Sequence, residues 1–506
     1  MSSNLKNEVS LYLNEYRDSL VNWYPWIEEA FDKAKAEKKP IFLSIGYSSS
    51  HLCQLMKEES FNDEAIANML NKNFISIKVD KDERPDIDKY FKQVYKLMNT
   101  QFCSSPISIF MTEYLEPFYS ASYIAPYPKG NILGFYELLN VIKDKYNNDK
   151  LTMIEKGKEI ISFVNPKNKK IEATKLDINI LNIVTNNFSE VFDNINGGFG
   201  DIPKFLNAST IDLLLESYQM TQKAELLSMV TDTLTKMANG EIFDNINGGF
   251  YKYANNKDWS LPRKEKLIYD NANIAMIYLK TYQITDNNFY KNIAFKTIDF
   301  MLKEMSDGNL FYANSLIKKD GSIFIDTKII TSWNAMVVDT LFIASTIDNR
   351  YIQQAIKSID KLLEQVYING ELYHTDNIQG FLEDYAYLGV ALLSAYRATD
   401  NKEYLILSQT ILNRAIDKFY QYGRWKFTDK EIEVYDDIYD LTYPSAIATI
   451  LYLIEQISPL IEGDYSEILF KTLEINSYNL MRQPLSYPKM TKVLLLYLKN
   501  DIMPKK

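Results

Sequence analysis

The chain has 506 residues, 46% of them hydrophobic and 24% charged, which favours a globular protein of two or three domains. A net charge of −10 argues against a nucleic-acid partner, because phosphate binding needs a basic face. Only two Cys and two His are present, which excludes a disulfide framework and a zinc ribbon, and neither a metal nor a cofactor is expected.

The amino-terminal residues are polar and carry no apolar signal core. No uncharged apolar run reaches the length that spans a membrane. We therefore expect a cytoplasmic protein with no membrane partner. In that reducing compartment the two cysteines are expected to be thiols.

The first part of the chain alternates helix and strand patterns. Helices are predicted over 26–37, 53–58, 61–71 and 86–98, and strands over 41–45, 74–79, 107–111 and 117–121. This order predicts a small α/β sheet covered by helices. We place this domain at residues 1–165, followed by a polar, proline-broken linker at 165–170.

The second part, residues 166–506, is almost entirely helical in pattern, and it repeats. The eight residues Phe192–Phe199 recur letter for letter as Phe243–Phe250, 51 positions later (243 − 192). Looser copies of this glycine turn follow near Gly308, Gly370 and Gly423. Each turn follows an amphipathic helix, so about six helical hairpins are predicted. We expect them to close into an (α/α)6 toroid, with a linear solenoid as the alternative.

One loop resembles a thioredoxin-type site that has lost half of its chemistry. It holds Ser50-His51-Leu52-Cys53, after a predicted strand and at the start of a helix. In such sites the first position carries the attacking cysteine, whose pKa the helix dipole lowers. Serine has no redox couple, so a dithiol–disulfide cycle within this motif is excluded.

The second cysteine, Cys103, lies three residues before Pro106. In thioredoxin folds a cis proline before the next strand packs beside the active-site loop. Cys103 could therefore lie near Cys53 and form a redox site with it. Two unrelated buried thiols are the alternative, because free cysteine is among the most buried residue types.

Nine motifs spread over nearly the whole chain point to one family. They occupy residues 22–26, 39–48, 59–61, 79–86, 197–200, 203–205, 265–272, 331–335 and 381–387. Together they resemble the spermatogenesis-associated protein 20 family. The resemblance implies a thioredoxin-like domain followed by a toroid of the six-hairpin glycosidase type.

Three departures from the family pattern mark the chain as similar to a diverged member. Ser50-His51-Leu52-Cys53-Gln54 stands where the family has Cys-His-Trp-Cys-His, so the Cys-x-x-Cys site is degenerate. Cys103-Ser104-Ser105-Pro106 replaces Gly-Gly-Trp-Pro, and Arg263-Lys264-Glu265-Lys266 replaces His-Phe-Glu-Lys.

The toroid architecture is shared by inverting glycosidases, polysaccharide lyases and sugar epimerases. Epimerases of this type need two facing histidines, and the second part of the chain holds only His374, so this mechanism is excluded. Glycoside hydrolysis needs two carboxyl groups instead. The catalytic candidates are Glu265, Asp270, Glu383 and Asp384. Alternatively, Asp384 could cap a helix and Glu265 could be solvated.

The candidate substrate-binding residues near these carboxyl groups are Arg263, Tyr269, Trp333, Asn334 and Tyr385. Aromatic rings could stack on a sugar or raise a carboxyl pKa by desolvation, and an arginine could clamp an anion. The leading hypothesis is a thioredoxin-like domain without dithiol chemistry, joined to a toroid that binds or processes a carbohydrate-like small molecule. The alternatives are a non-catalytic interaction scaffold and a single-thiol redox protein using Cys53, with or without Cys103.

Overall fold

The computed structural model describes residues 3–100, 103–130, 132–164, 172–430, 432–440 and 442–502. The chain forms two compact units, residues 1–169 with 430–434 and residues 170–429 with 435–506. The predicted linker at 165–170 lies outside the described residues. None of the helices within the described ranges is long and apolar enough to cross a membrane.

The first unit is a five-stranded sheet covered by helices. Its strands are β1 (Trp23–Tyr24), β2 (Ile41–Gly46), β3 (Ile75–Asp80), β4 (Ile107–Met111) and β5 (Pro117–Ala121). The order across the sheet is β1-β3-β2-β4-β5. Strands β1, β3 and β2 run parallel, whereas β4 is antiparallel to β2 and β5 to β4. The predicted strands at 107–111 and 117–121 are confirmed residue for residue.

The helices of the first unit are α1 (Leu11–Asn14), α2 (Glu28–Glu37), α3 (His51–Met56), α4 (Glu64–Asn73), α5 (Pro85–Met98), α6 (Phe135–Asn148) and α7 (Lys150–Val164). Every residue of the central strands β2 and β3 is buried. Such continuous burial is typical of strands covered on both faces. The thioredoxin-like α/β class predicted from the sequence is thereby confirmed.

The second unit is a closed ring of helical hairpins. Its inner helices are α9 (Ala208–Thr221), α11 (Ile268–Thr285), α13 (Thr331–Ser345), α15 (Leu382–Thr399), α17 (Ala446–Ile457) and α19 (Pro488–Ile502). Each inner helix contacts the next, and α19 contacts α9, so the ring closes. The predicted (α/α)6 toroid is confirmed, and the linear solenoid is wrong.

The outer helices are α8 (Ile180–Val191), α10 (Ala224–Asn239), α12 (Asn288–Glu304), α14 (Ile352–Val366), α16 (Lys402–Phe419) and α18 (Ser466–Arg482). Short strands join the hairpins: β6 (Lys204–Phe205), β7 (Tyr253–Ala254), β8 (Glu265–Leu267), β9 (Asn314–Ile317), β10 (Ile323–Asp326), β11 (Tyr367–Ile368), β12 (Glu371–Thr375), β13 (Ile378–Gln379), β14 (Tyr420–Gln421) and β15 (Arg424–Trp425). The connections between the hairpins therefore contain short extended segments.

The repeated octapeptide makes the same turn twice. The Oδ1 atom of Asp244 accepts hydrogen bonds from the backbone amides of the residues two and three positions later. Asp193 does the same in the first copy. Gly249 has a φ of +78°, and a Cβ atom there would come within 2.5 Å of the Phe300 ring. The sequence repeats because an Asx turn and a glycine are both needed where the chain passes close to the outer helix of the following hairpin.

Candidate functional site

The loop Ser50-His51-Leu52-Cys53 of the first unit lies at the start of α3, with a serine at its first position. Ser50 is the N-cap of α3, and its hydroxyl accepts a hydrogen bond from the Cys53 amide (3.4 Å). The peptide bond before Pro106 is cis, and the Ser50 hydroxyl lies 3.5 Å from the carbonyl oxygen of Ser105. The proline therefore lies beside the loop, as the sequence predicted. Cys53 and Cys103 are both free thiols.

The surroundings of the two thiols do not favour the thiolate. Cys53 is 2% exposed, and burial raises its pKa. Burial also raises the pKa of Cys103, to about 12. Lys78 is buried within rings of the same core, with its Nζ atom 3.9 Å from the centre of the Tyr16 ring. Burial lowers the pKa of Lys78 to about 7, which weakens its ability to stabilise a thiolate.

Asp384 holds the start of α15 in place. It is fully buried, and its carboxylate accepts hydrogen bonds from the backbone amides of Ser332 (3.1 Å) and Phe381 (2.8 Å). The Nδ1 atom of His374 lies 2.9 Å from both of its oxygens. The environment of Asp384 is that of a buried capping group, which is the alternative noted for it from the sequence.

Glu383, the neighbouring carboxyl group, belongs to a different set of contacts. Its Oε2 atom accepts a hydrogen bond from the Tyr443 hydroxyl (3.0 Å), and its Oε1 atom lies 3.5 Å from the Ser332 hydroxyl. Ligand atoms of Glu383, His374 and Asp384 lie within 4.8 Å of one another, a spacing that a metal ion could bridge. Because the Asp384 oxygens already accept several hydrogen bonds, we assign the trio to a hydrogen-bonded network.

Aromatic side chains gather beside Glu383 at the amino-terminal ends of the inner helices. The Tyr269 ring lies 4.8 Å from the Trp333 ring and 4.9 Å from the Tyr443 ring, centre to centre. The indole Nε1 of Trp333 donates to the Tyr443 hydroxyl (3.4 Å). The structure thus brings together the predicted residues Tyr269, Trp333 and Glu383. Tyr443 was missed, because it lies two residues before the N-cap of α17, whereas the predicted residues lie in the first turns of their helices.

Asp270 is a carboxyl group in the first turn of α11 that accepts no hydrogen bond from the residues described. Burial raises its pKa to about 8, the nearby Lys252 opposes this effect, and Glu265 adds to it. Glu265 is itself buried and forms an ion pair with Lys252 (3.1 Å). Asp270 therefore stays protonated near neutral pH, as a general acid must.

Three other predicted substrate-binding residues have different positions. Asn334 is fully buried, and its side chain accepts a hydrogen bond from the backbone amide of Phe311 (2.7 Å), which fixes the turn before α13. Tyr385 is 1% exposed and packs against Phe419. Arg263 is partly exposed and does not line the central cavity described next.

A cavity of about 300 Å³ occupies the centre of the ring. Its lining includes Asn273, Met336 and Tyr387, which lie three or four residues after Asp270, Trp333 and Glu383, respectively. Residues at this spacing share a helix face, so Asp270, Trp333 and Glu383 lie one turn closer to the amino-terminal ends of their helices than the lining residues do. The carboxyl groups of Asp270 and Glu383 and the ring of Trp333 therefore lie outside the lining itself, about one helical turn beyond it toward the amino-terminal ends of the inner helices.

Charged residues of the cavity wall were missed from the sequence. They are Asp212, Lys280, Asp339, Arg397 and Lys489. The signal was present, because Asp339 stands alone in the apolar run Met336-Val337-Val338-Asp339-Thr340-Leu341-Phe342. A lone charged residue on an otherwise apolar helix is buried only when something compensates its charge.

Comparisons with known proteins agree with this architecture. Residues 2–165 match the family described as "Thioredox_DsbH: Protein of unknown function, DUF255". Spermatogenesis-associated protein 20 of Rattus norvegicus is 33% identical over 313 residues, 60% of this chain and 40% of that protein. The Homo sapiens protein of the same name is 33% identical over 312 residues, 60% of this chain and 39% of that protein.

The chain is similar to spermatogenesis-associated protein 20 over 60% of its length. The resemblance stated from the nine motifs is thereby confirmed. The chain spans about 40% of the length of these curated relatives.

Two solved structures share the toroid fold. A sugar epimerase from a ruminal bacterium superposes with a TM-score of 0.51 and 11% identity, over 63% of this chain and 97% of that chain. A D-mannose isomerase gives a TM-score of 0.51 and 12% identity, over 63% of this chain and 96% of that chain. At such identities the likeness concerns the fold alone.

Proposed function

We propose that the toroid binds and processes a carbohydrate-like small molecule in its central cavity. The cavity volume of about 300 Å³ lies at the lower end of the range for small-molecule sites. The rings of Tyr269, Trp333 and Tyr443 offer apolar faces of the kind on which sugar rings stack. The observation that carries the proposal is Asp270, a carboxyl group without a hydrogen-bond donor among the described residues.

The proposed chemistry uses two carboxyl groups in different roles. Asp270 donates a proton to the leaving oxygen, since burial raises its pKa to about 8. Glu383, oriented by the Tyr443 hydroxyl, acts as the second carboxyl group. Glycoside hydrolysis needs such a pair, one group protonated and one ionised. Asp384 is left out of the reaction because it caps α15, and Glu265 because it pairs with Lys252.

For the first unit we propose no dithiol chemistry. Ser50 occupies the position of the attacking thiol, and the raised pKa values of Cys53 and Cys103 give little support to single-thiol chemistry. The two free thiols are compatible with the cytoplasmic location that we propose. We propose no nucleic-acid or membrane partner.

The test combines ligand binding and turnover on the full chain. We expect mono- and disaccharides to raise the melting temperature and a panel of aryl glycosides to reveal turnover. Asp270→Asn should keep sugar binding and lower kcat by a factor of about 10² to 10⁴, the usual contribution of a general acid. The matched control is Asp360→Asn on the outer helix α14, which should leave kcat unchanged.

The alternative function, a non-catalytic scaffold, predicts neither sugar binding nor glycoside cleavage. If no sugar changes the melting temperature and no glycoside is cleaved, the proposal for the toroid is wrong. If both Asp270→Asn and Glu383→Gln still cleave glycosides, the proposal that the toroid binds a sugar stands. The proposed roles of the two carboxyl groups are then wrong.

A further inference from the structure

The central cavity contains more charge than a site for a neutral sugar requires. Its wall carries Asp212, Lys280, Asp339 and Lys489, and Lys492 lies directly behind Asp212. All of them come from inner helices of the ring. Burying a charge is costly unless it is paired, so each of these groups requires a partner.

Most of this charge is satisfied within the protein. Asp212 on α9 accepts from Lys280 on α11 (2.7 Å) and from Lys492 on α19 (3.0 Å). Lys492 also pairs with Glu216 (3.3 Å). Although burial opposes its ionisation, the two ammonium groups hold the pKa of Asp212 below its usual value. This network is therefore complete without a ligand.

Lys489 is the exception. Among the residues described, its ammonium group has no hydrogen-bond acceptor and no carboxylate within ion-pair distance. The Nζ atom lies 3.7 Å from the centre of the Tyr452 ring, a contact that compensates only part of a buried charge. Burial lowers the pKa of Lys489 to about 8, and Lys492 and Lys280 act in the same direction, whereas the carboxyl groups of Asp212 and Asp339 oppose them. Among the described residues Lys489 thus has no ion pair of its own, because the carboxylate of Asp212 is already paired with Lys280 and Lys492.

The other acid of the cavity wall, Asp339, does not form an ion pair with Lys489 either. Asp339 on α13 is hydrogen-bonded by the Ser394 hydroxyl (2.6 Å), and burial raises its pKa. Lys280, Lys489 and Arg397 oppose this effect, so Asp339 compensates several cations at once and forms no ion pair with Lys489. The side-chain oxygen of Asn273, whose amide donates to Tyr269, accepts no hydrogen bond from the described residues. It offers an acceptor for a ligand hydroxyl.

The cavity is accessible from the end where the inner helices finish. Gln283, Thr346 and Arg397 lie at the carboxyl-terminal limits of its lining on α11, α13 and α15, and all three are exposed. The guanidinium group of Arg397 adds positive charge at this opening. Cationic groups along an entrance raise the local concentration of anionic ligands.

We propose that the ligand of the central cavity is a small polyhydroxylated molecule bearing an anionic group, a carboxylate or a phosphate, which pairs with Lys489. The inference rests on the proposed function, because it names the class of sugar-like compound that the toroid binds. The anionic group occupies the place of the missing partner of Lys489. Hydroxyl groups of the ligand face Asn273, Asp339 and Ser394.

The test is isothermal titration calorimetry on the full chain with matched probes. Lactobionate is compared with lactitol, its uncharged open-chain counterpart, for the carboxylate, and glucose 6-phosphate with glucose for the phosphate. We expect at least one anionic probe to bind about tenfold or more tighter than its neutral partner. A charge-assisted hydrogen bond supports a difference of that order. The tighter of the two anionic probes identifies the anion class.

Lys489→Gln and Lys489→Met should each reduce the affinity for the anionic probe to that of its neutral partner. The control is Lys471→Gln, an exposed lysine of α18 paired with Glu474, which should leave every affinity unchanged. Melting temperatures establish that the variants fold. If the neutral and anionic probes bind equally, or if both Lys489 variants keep the preference, the inference is wrong while sugar binding stands. If no probe binds, both the inference and the proposed function fail.

Discussion

Asp270→Asn should stabilise the toroid, and the stabilisation should grow with pH. Asparagine has nearly the same shape as aspartate but cannot ionise. In the native protein the Asp270 carboxyl group is largely surrounded by protein, and its pKa is raised from 3.8 to about 8. Between those two values the folded chain holds a proton that the unfolded chain has lost. Raising the pH therefore favours unfolding of the native sequence.

The sign and size follow from this difference in proton binding. The stability contributed by Asp270 is fully present below about pH 4 and is lost as the pH rises to about 8. Each tenfold change in proton affinity is worth about 1.4 kcal/mol, which sets an upper limit of roughly 5–6 kcal/mol. Because Asp270 is partly exposed, solvent screening reduces this figure. We expect Asp270→Asn to gain about 2 kcal/mol more at about pH 8 than at about pH 5.

The assay is guanidinium unfolding of both proteins at the two pH values, followed by far-ultraviolet circular dichroism. The control substitution is Asp360→Asn on the outer helix α14, which removes an exposed charge but keeps an oxygen that can accept the Tyr404 hydroxyl bond (2.8 Å), and it should not stabilise the protein. A gain that is the same at both pH values, or a loss of stability in Asp270→Asn, would refute the assignment of Asp270 as a buried, protonated acid.

Three further predictions concern other buried groups. Asn271→Ala should destabilise the toroid by about 2–4 kcal/mol in chemical unfolding, because it leaves the buried amide and carbonyl of Phe250 unpaired; a cost under about 1 kcal/mol would contradict this. Cys53 should react with iodoacetamide about a hundredfold more slowly in the folded chain than in guanidinium, since it is buried and its pKa is raised; equal rates would show that it is accessible. Lys78→Met should raise the melting temperature of the first unit at about pH 7 and progressively less toward about pH 10, because burial lowers the pKa of Lys78 to about 7; a gain independent of pH would point to packing alone.

The toroid was predictable because its turns are local. The octapeptide at Phe192 and its copy at Phe243 encode an Asx turn and glycines that need positive φ values, and both depend on neighbouring residues. The spacing of such turns revealed the number of hairpins. Closure of the ring involves contact between α19 and α9, which no local motif encodes. It was inferred as the arrangement in which every repeat buries its apolar face.

The candidate site was only partly predictable. The sequence proposed Glu383 and Asp384 together, because adjacent acids in one motif cannot be told apart without knowing where the helix begins. The structure separates them, since Asp384 caps α15 and Glu383 contacts Tyr443. Lys489 was not predicted, because its neighbours Asp212 and Asp339 come from helices far away in the chain.

Proton transfer and charge recognition are assigned to different levels of the ring, so each can be tested by its own variant. Asp270 and Lys280 are both on α11, ten residues apart, which corresponds to about 15 Å along the helix. The charge of Lys280 affects Lys489, so we place Lys489 near Lys280, toward the end of the cavity that opens at Gln283. A ligand that reaches both Asp270 and Lys489 must then be longer than a single sugar ring. For this reason the disaccharide acid lactobionate can contact both Asp270 and Lys489, whereas glucose 6-phosphate can contact only Lys489.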